Sequence, residues 1–211
     1  MTSGSVQIGQ KAAQTLYYAE LQARRIGFPI TLSITINFSL LGVRPDQATK
    51  MFGHIRNRRF APWARRPSAR HGTWSCPPTY SYGFENSRGG VAFTNPDGEH
   101  NVHVHWAAHV PEPRQQDFRD RLHDWVTEIA SSQDWPENAL KVKLIEVPGL
   151  VAVYPVKGAS RLIAEFYGKE HEPQGFIFGR RTGTTLNIGP AKRRALDKQL
   201  GINRKRHLSR S

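Results

Sequence analysis

Two histidines set two residues apart, in Asn101-Val-His-Val-His-Trp106, are the residues of this chain best suited to chemistry. On a β-strand, residues i and i+2 point to the same face. His103 and His105 would then grip one divalent metal while Val102, Val104 and Trp106 face a core. Two histidines on a solvated strand face would share this spacing. Glu85 bears on the choice. If 79–85 pairs with 102–110, Ser81, Gly83 and Glu85 share the polar face beside the histidines, and Tyr80, Tyr82 and Phe84 share the other. Two imidazoles and one carboxylate suit Mg2+, Mn2+ or Zn2+ and leave coordination positions open. The alternative is a surface Glu85 paired with an arginine.

A second constellation lies downstream in Tyr154-Pro-Val-Lys157. On a helix, residues i and i+3 are neighbours, so Tyr154 and Lys157 would project together. A tyrosinate can attack a phosphodiester, and a nearby lysine can stabilise the charge that develops. A core tyrosine with a snorkelling lysine fits the spacing equally. Pro155 presses Tyr154 toward an extended backbone, so Tyr154 is expected at a helix start or displaced from the metal. Tyr167, with Lys169 nearby, is a reserve nucleophile. His109 falls on the strand face of His105, as a support for the site or simply exposed. The one cysteine, Cys76, excludes disulfide scaffolds and multi-cysteine zinc sites within one chain.

The elements that must position these groups follow from periodicity. Residues 30–40 alternate strictly, with Ile30, Leu32, Ile34, Ile36 and Phe38 on one face, which predicts a half-buried strand. Pro45 and Asp46 open a helix with Ala48, Met51, Phe52 and Ile55 on its apolar stripe. Strands follow at 79–85 and 102–110, joined by a turn-rich connection with a short strand at 91–93. A helix spans 113–131 on Phe118, Leu122, Trp125, Val126 and Ile129. A strand follows at 140–147 and a short helix after Pro148-Gly149. The order β-α-β-β-α-β-α predicts an α+β fold: a central antiparallel sheet of four to five strands with helices packed on it, of ferredoxin-like kind. The expected organisation is an arm at 1–28, a domain at 29–178 and a basic, flexible tail at 179–211.

Charge narrows the partners. The chain carries a formal net charge of +13 over 211 residues and a pI near 10.4, which favours polyanions, nucleic acid first. Residues 44–70 hold eight Lys or Arg against one acid. Arg56, Arg58 and Arg59, with Trp63 for stacking, suit single-stranded nucleic acid, DNA or RNA. A solvated helix face over a packed tryptophan is the alternative. Arg180, Arg181, Lys192, Arg193 and Arg194 are candidate phosphate contacts, unless the tail binds polyanions without specificity. No glycine pattern matches a nucleotide loop. No apolar run has the length of a membrane span and the N-terminus lacks a signal peptide's apolar core, so no membrane partner is expected and the location expected is cytoplasmic.

Taken in order, these pieces resemble the HUH single-strand endonucleases, which include rolling-circle replication initiators, relaxases and related transposases. The shared features are the hydroxyl-rich strand from Thr31 to Ser39, His103-Val104-His105, an acidic third ligand at Glu85, and Tyr154-Pro155-Val156-Lys157 after the last strand. They cover roughly residues 30–160. Gly158 departs from the pattern, standing where many relatives place another aromatic. The resemblance implies the HUH palm fold, a Mg2+ or Mn2+ cofactor on His103, His105 and Glu85, and Tyr154 as the nucleophile with Lys157 steadying the phosphate. It implies nicking and joining of single-stranded DNA that initiates replication of a plasmid or phage-like element, alongside a host helicase or polymerase. The alternative is a protein on the same fold that binds nucleic acid and no longer cuts. A metal hydrolase of unrelated substrates would need a further catalytic base that the sequence does not offer.

Overall fold

The computed structural model describes residues 3–67, 75–146, 158–168 and 170–202. Its centre is a βαββαβ unit: β2 (Leu32–Asn37), α2 (Pro45–His54) continuing through a π turn into α3 (Ala61–Arg65), β3 (Tyr80–Arg88), β5 (Val102–Ala108), α4 (Gln115–Thr127) and β6 (Leu140–Leu144). The strands lie in the order β3-β5-β2-β6, all antiparallel, which is the ferredoxin-like arrangement. Two short strands, β4 (Val91–Ala92) and β8 (Thr182–Thr184), add to the free edge of β3. The fold is therefore α+β, as the periodicity predicts.

Pleating divides the sheet into two faces with different contents. Leu32, Ile34 and Ile36 point with Val104, Trp106, Tyr82 and Phe84 into the core beneath α2 and α4. Trp106 is fully buried there, with Phe52, Phe60, Phe118 and Tyr80 packed edge-on around it. Such pairs add about 0.5–1.5 kcal/mol each beyond area burial. The π turn at Ile55–Phe60 has a local cause. Pro62 cannot donate to the Arg58 carbonyl, and its ring would clash with that carbonyl in a regular helix. The wider turn relieves this and aligns Ile55 with Phe60, both buried, while Arg58 and Arg59 point out.

The ends of the chain carry elements of their own. The segment expected as an arm forms α1 (Gln10–Arg25), which packs on β3 and β8. The segment expected as a flexible tail supplies β8 and α6 (Pro190–Gln199), and the short strand β7 (Ile177–Phe178) pairs with β1 (Gly4–Ser5). Arg25 pairs with Asp197 at 3.2 Å, tying the two ends together. Ala19 and Ala23 of α1 pack with Ala107 and Ile188, so both ends roof the β3 side of the polar sheet face. The short helix expected after Pro148-Gly149 falls at 147–157, outside the described residues; α5 (Arg161–Phe166) follows. No helix among the described residues is long and apolar enough to cross a membrane.

Candidate metal centre

Register builds the site. Glu85 on β3 lies directly opposite His103 on β5, and His103 opposite Asn37 on β2. One step along, Gly83, His105, Thr35 and Lys141 form the next row across the sheet. All point away from the aromatic core. The Glu85 carboxylate spans both imidazoles: Oε2 lies 3.3 Å from His103 Nε2, and Oε1 lies 3.4 Å from His105 Nε2. One ligand atom from each of the three comes within 4.8 Å of the others, so the group can hold a metal ion. The expected three-residue set is thus brought together.

The surroundings orient each ligand. His103 Nδ1 donates to the Asn101 carbonyl at 2.9 Å, which fixes the ring with Nε2 facing Glu85. His105 Nδ1 lies 3.2 Å from Thr35 Oγ1. Glu85 is 6% exposed. Burial would raise its pKa, but the hydrogen bonds and charges of His103 and His105 outweigh this and hold it at about 2. The carboxylate is therefore ionised, as a metal ligand must be.

Gln174 joins the site with no sequence signal. Its amide, with the nitrogen turned to the carboxylate, donates to Glu85 Oε1 at 2.6 Å and Oε2 at 3.0 Å. The Gln174 backbone is pinned separately, its carbonyl accepting from Asn86 N at 2.8 Å. Gly175 follows with φ +68°, where an added Cβ would collide with the Asn86 and Phe93 carbonyls, so only glycine allows this approach. Gly158 packs on the other side of Gln174; a Cβ there would come 2.6 Å from Gln174 Cγ.

Several expected contacts take other roles. Arg181 is a buried clamp, not a phosphate contact: its guanidinium donates to the carbonyls of Ser5, Phe84, Gln174 and Gly175. Burial lowers its pKa to about 10 against the opposing influence of the Glu85 charge. Arg193 is buried against the Tyr18 ring and donates to the Gln14 carbonyl. Trp63 is unavailable for base stacking: it is buried, donates to Asp117 at 2.7 Å and lies under the Arg114 guanidinium. Arg56 sits over Tyr82 and bonds the Tyr80 hydroxyl. Arg58 and Arg59 are exposed, Arg59 pairing with Glu128, but they belong to the helical layer, across the sheet from the histidines. Arg180, Lys192 and Arg194 are exposed.

His109 lies beyond the end of β5 and donates to the Pro29 carbonyl at 2.6 Å, so it fixes a loop and does not support the metal ligands. Tyr167 packs on Tyr17 in a separate apolar cluster. Burial, with Tyr18 beside it, pushes its pKa up to about 12, which does not suit a nucleophile. Cys76 is buried, and burial raises its thiol pKa. Tyr154, Lys157 and Lys169 lie outside the described residues.

Beside the histidines a cleft of about 560 Å3 opens on the polar face, lined by Ser33, Thr35, Asn37, Asn138, Lys141 and Lys143 among others. Comparisons with protein-family models, with curated proteins and with solved structures return no match.

Proposed function

We propose that this protein is a metal-dependent nuclease of HUH type that nicks and joins single-stranded DNA through Tyr154. The observation that carries the reading is the Glu85, His103 and His105 group, oriented from behind and facing an open, partly basic cleft. Two imidazoles and a carboxylate suit Mn2+ or Mg2+, which would supply Lewis acidity toward a phosphodiester. Tyr154 would give up its phenolic proton to solvent and attack phosphorus. The bond from phosphorus to the 3′ oxygen breaks, leaving a 5′-phosphotyrosyl enzyme and a 3′ oxygen that takes up a proton to become the 3′-hydroxyl. Lys157 steadies the phosphate charge. Joining is the reverse displacement.

Initiation of plasmid or phage-like replication is the role this chemistry serves best.

The test is a covalent adduct. Wild-type protein incubated with single-stranded DNA and Mn2+ should give a denaturant-resistant shift on a gel, and Tyr154→Phe should give none. Absence of any adduct across diverse sequences, with Mn2+ still bound, would sink the nuclease and leave a nucleic-acid-binding protein on the same fold.

A further inference from the structure

Among the described residues, the polar sheet face is open on one side and covered on the other. Toward β3 and β8 it is roofed by α1, whose Ala19 and Ala23 pack with Ala107 and Ile188. Glu85 is closed off behind by Gln174. Toward β2 and β6 no such roof is present among the described residues, and the cleft lies there. Side-chain exposure is lower at Glu85 on β3, 8%, than at His103 and His105 on β5, 13% and 21%. A polymer reaching the histidines therefore passes over β2 and β6.

Two lysines wait on that path. Lys141 is opposite Thr35, itself opposite His105; Lys143 is opposite Ser33. Both line the cleft, both are exposed, and neither has an acidic partner among the described residues. As i and i+2 on one strand they stand about 6.6 Å apart at the backbone. That matches neighbouring phosphates on an extended single strand. Ser33 and Thr35 lie opposite them on the adjacent strand β2.

We propose that Lys141 and Lys143 hold two successive phosphates of a single-stranded nucleic acid crossing β6 toward the histidine pair. This rests on the reading of the site as a phosphodiester-cleaving centre, but it concerns binding alone. Lysine on an edge strand also blocks unwanted strand pairing, a role indifferent to nucleic acid, so the test must read binding.

The experiment uses the full chain in EDTA with a fluorescein-labelled, mixed-sequence 20-nucleotide DNA, followed by anisotropy across a salt series. Each phosphate contact contributes a slope of about 0.7 in log affinity against log salt for single strands, so Lys141→Gln/Lys143→Gln should lower the slope by about 1.4 and the affinity at 0.1 M salt by about 25-fold. The arginine pair at the same positions should restore both. Lys11→Gln/Lys50→Gln, an equal charge loss at exposed positions on two helices, should change the slope far less. Mn2+ affinity should be unchanged in all of them. An unaltered slope in the Lys141/Lys143 pair, or an equal loss in the Lys11/Lys50 pair, overturns the proposal. Adduct formation separates the two readings: wild type that cuts while the Lys141/Lys143 pair binds normally refutes only the phosphate track, and a lost slope without any adduct refutes only the nuclease.

Discussion

Gln174→Leu tests the site's architecture at a residue that no metal would touch. Leucine is close in size but removes the amide that donates to both Glu85 oxygens at 2.6 and 3.0 Å. The backbone should keep its course, because Gln174 O is held by Asn86 N and the turn at Gly175 is unchanged. The carboxylate would still face two imidazoles but would lose its fixed rotation. Loss of an outer partner of a metal ligand costs metal affinity by about 10- to 100-fold, or roughly 1.4–2.7 kcal/mol. Calorimetric titration of Mn2+ into wild type and Gln174→Leu reads this directly. Gln174→Glu should weaken binding further, since a second carboxylate would then abut the first in a buried setting. Mn2+ binding equal to wild type in Gln174→Leu, with an unchanged unfolding transition, would refute the claim that Gln174 sets Glu85 in place.

Two further outcomes follow from the buried polar groups. Arg181→Met should destabilise the fold by on the order of 3–5 kcal/mol in urea denaturation, because it strips a charged donor from four backbone carbonyls in three separate segments; a loss under about 1 kcal/mol would return Arg181 to the surface role its charge suggests. His109 gives a pH signature: burial lowers its pKa from 6.5, with the Pro29 carbonyl acting the other way. The unfolded chain therefore binds the proton first, so stability from this residue is complete above about pH 6.5 and falls as pH drops below it. Wild type should lose more stability than His109→Gln between about pH 7 and pH 5, and parallel curves would remove His109 as the cause.

What could be read in the sequence was what alternation and order determine. The strict period of two at Leu32, Ile34 and Ile36 marks β2, and the same period in 80–85 and 102–106 puts Glu85 and the histidines on one face once the strands pair. Register then made Glu85 the exact cross-strand partner of His103. Gln174 was illegible because it reaches Glu85 from a non-regular segment 89 residues away, through a contact no spacing rule describes. Charge misled for the opposite reason. Arg181, Arg193 and Trp63 were read from composition as a nucleic-acid surface, yet a guanidinium surrounded by carbonyls or seated on a ring is a structural part. Composition reports how much charge a segment carries and not which way it points. Lys141 and Lys143 lie in a strand that the sequence reading located without assigning its faces, and their partners across the sheet appear only when β6 is set beside β2.

The strand order explains why this chemistry sits where it does. In a β3-β5-β2-β6 sheet the histidine strand has a neighbour on each side, so its polar face can draw a carboxylate from one and hydroxyls from the other. The helical layer covers the opposite face, where the aromatic packing around Trp106 fills the space beneath the helices. The added N- and C-terminal elements then break the symmetry of the polar face by covering its β3 half. Glu85 is thereby buried deeply enough to need the two imidazoles and the Gln174 amide, while His105 keeps the greatest exposure of the three. A ligand set ordered from covered to open in this way gives a bound cation one accessible side. That side is the cleft where Lys141 and Lys143 stand, so the groups that would bind the cation and those that would bind the phosphates converge on the same space.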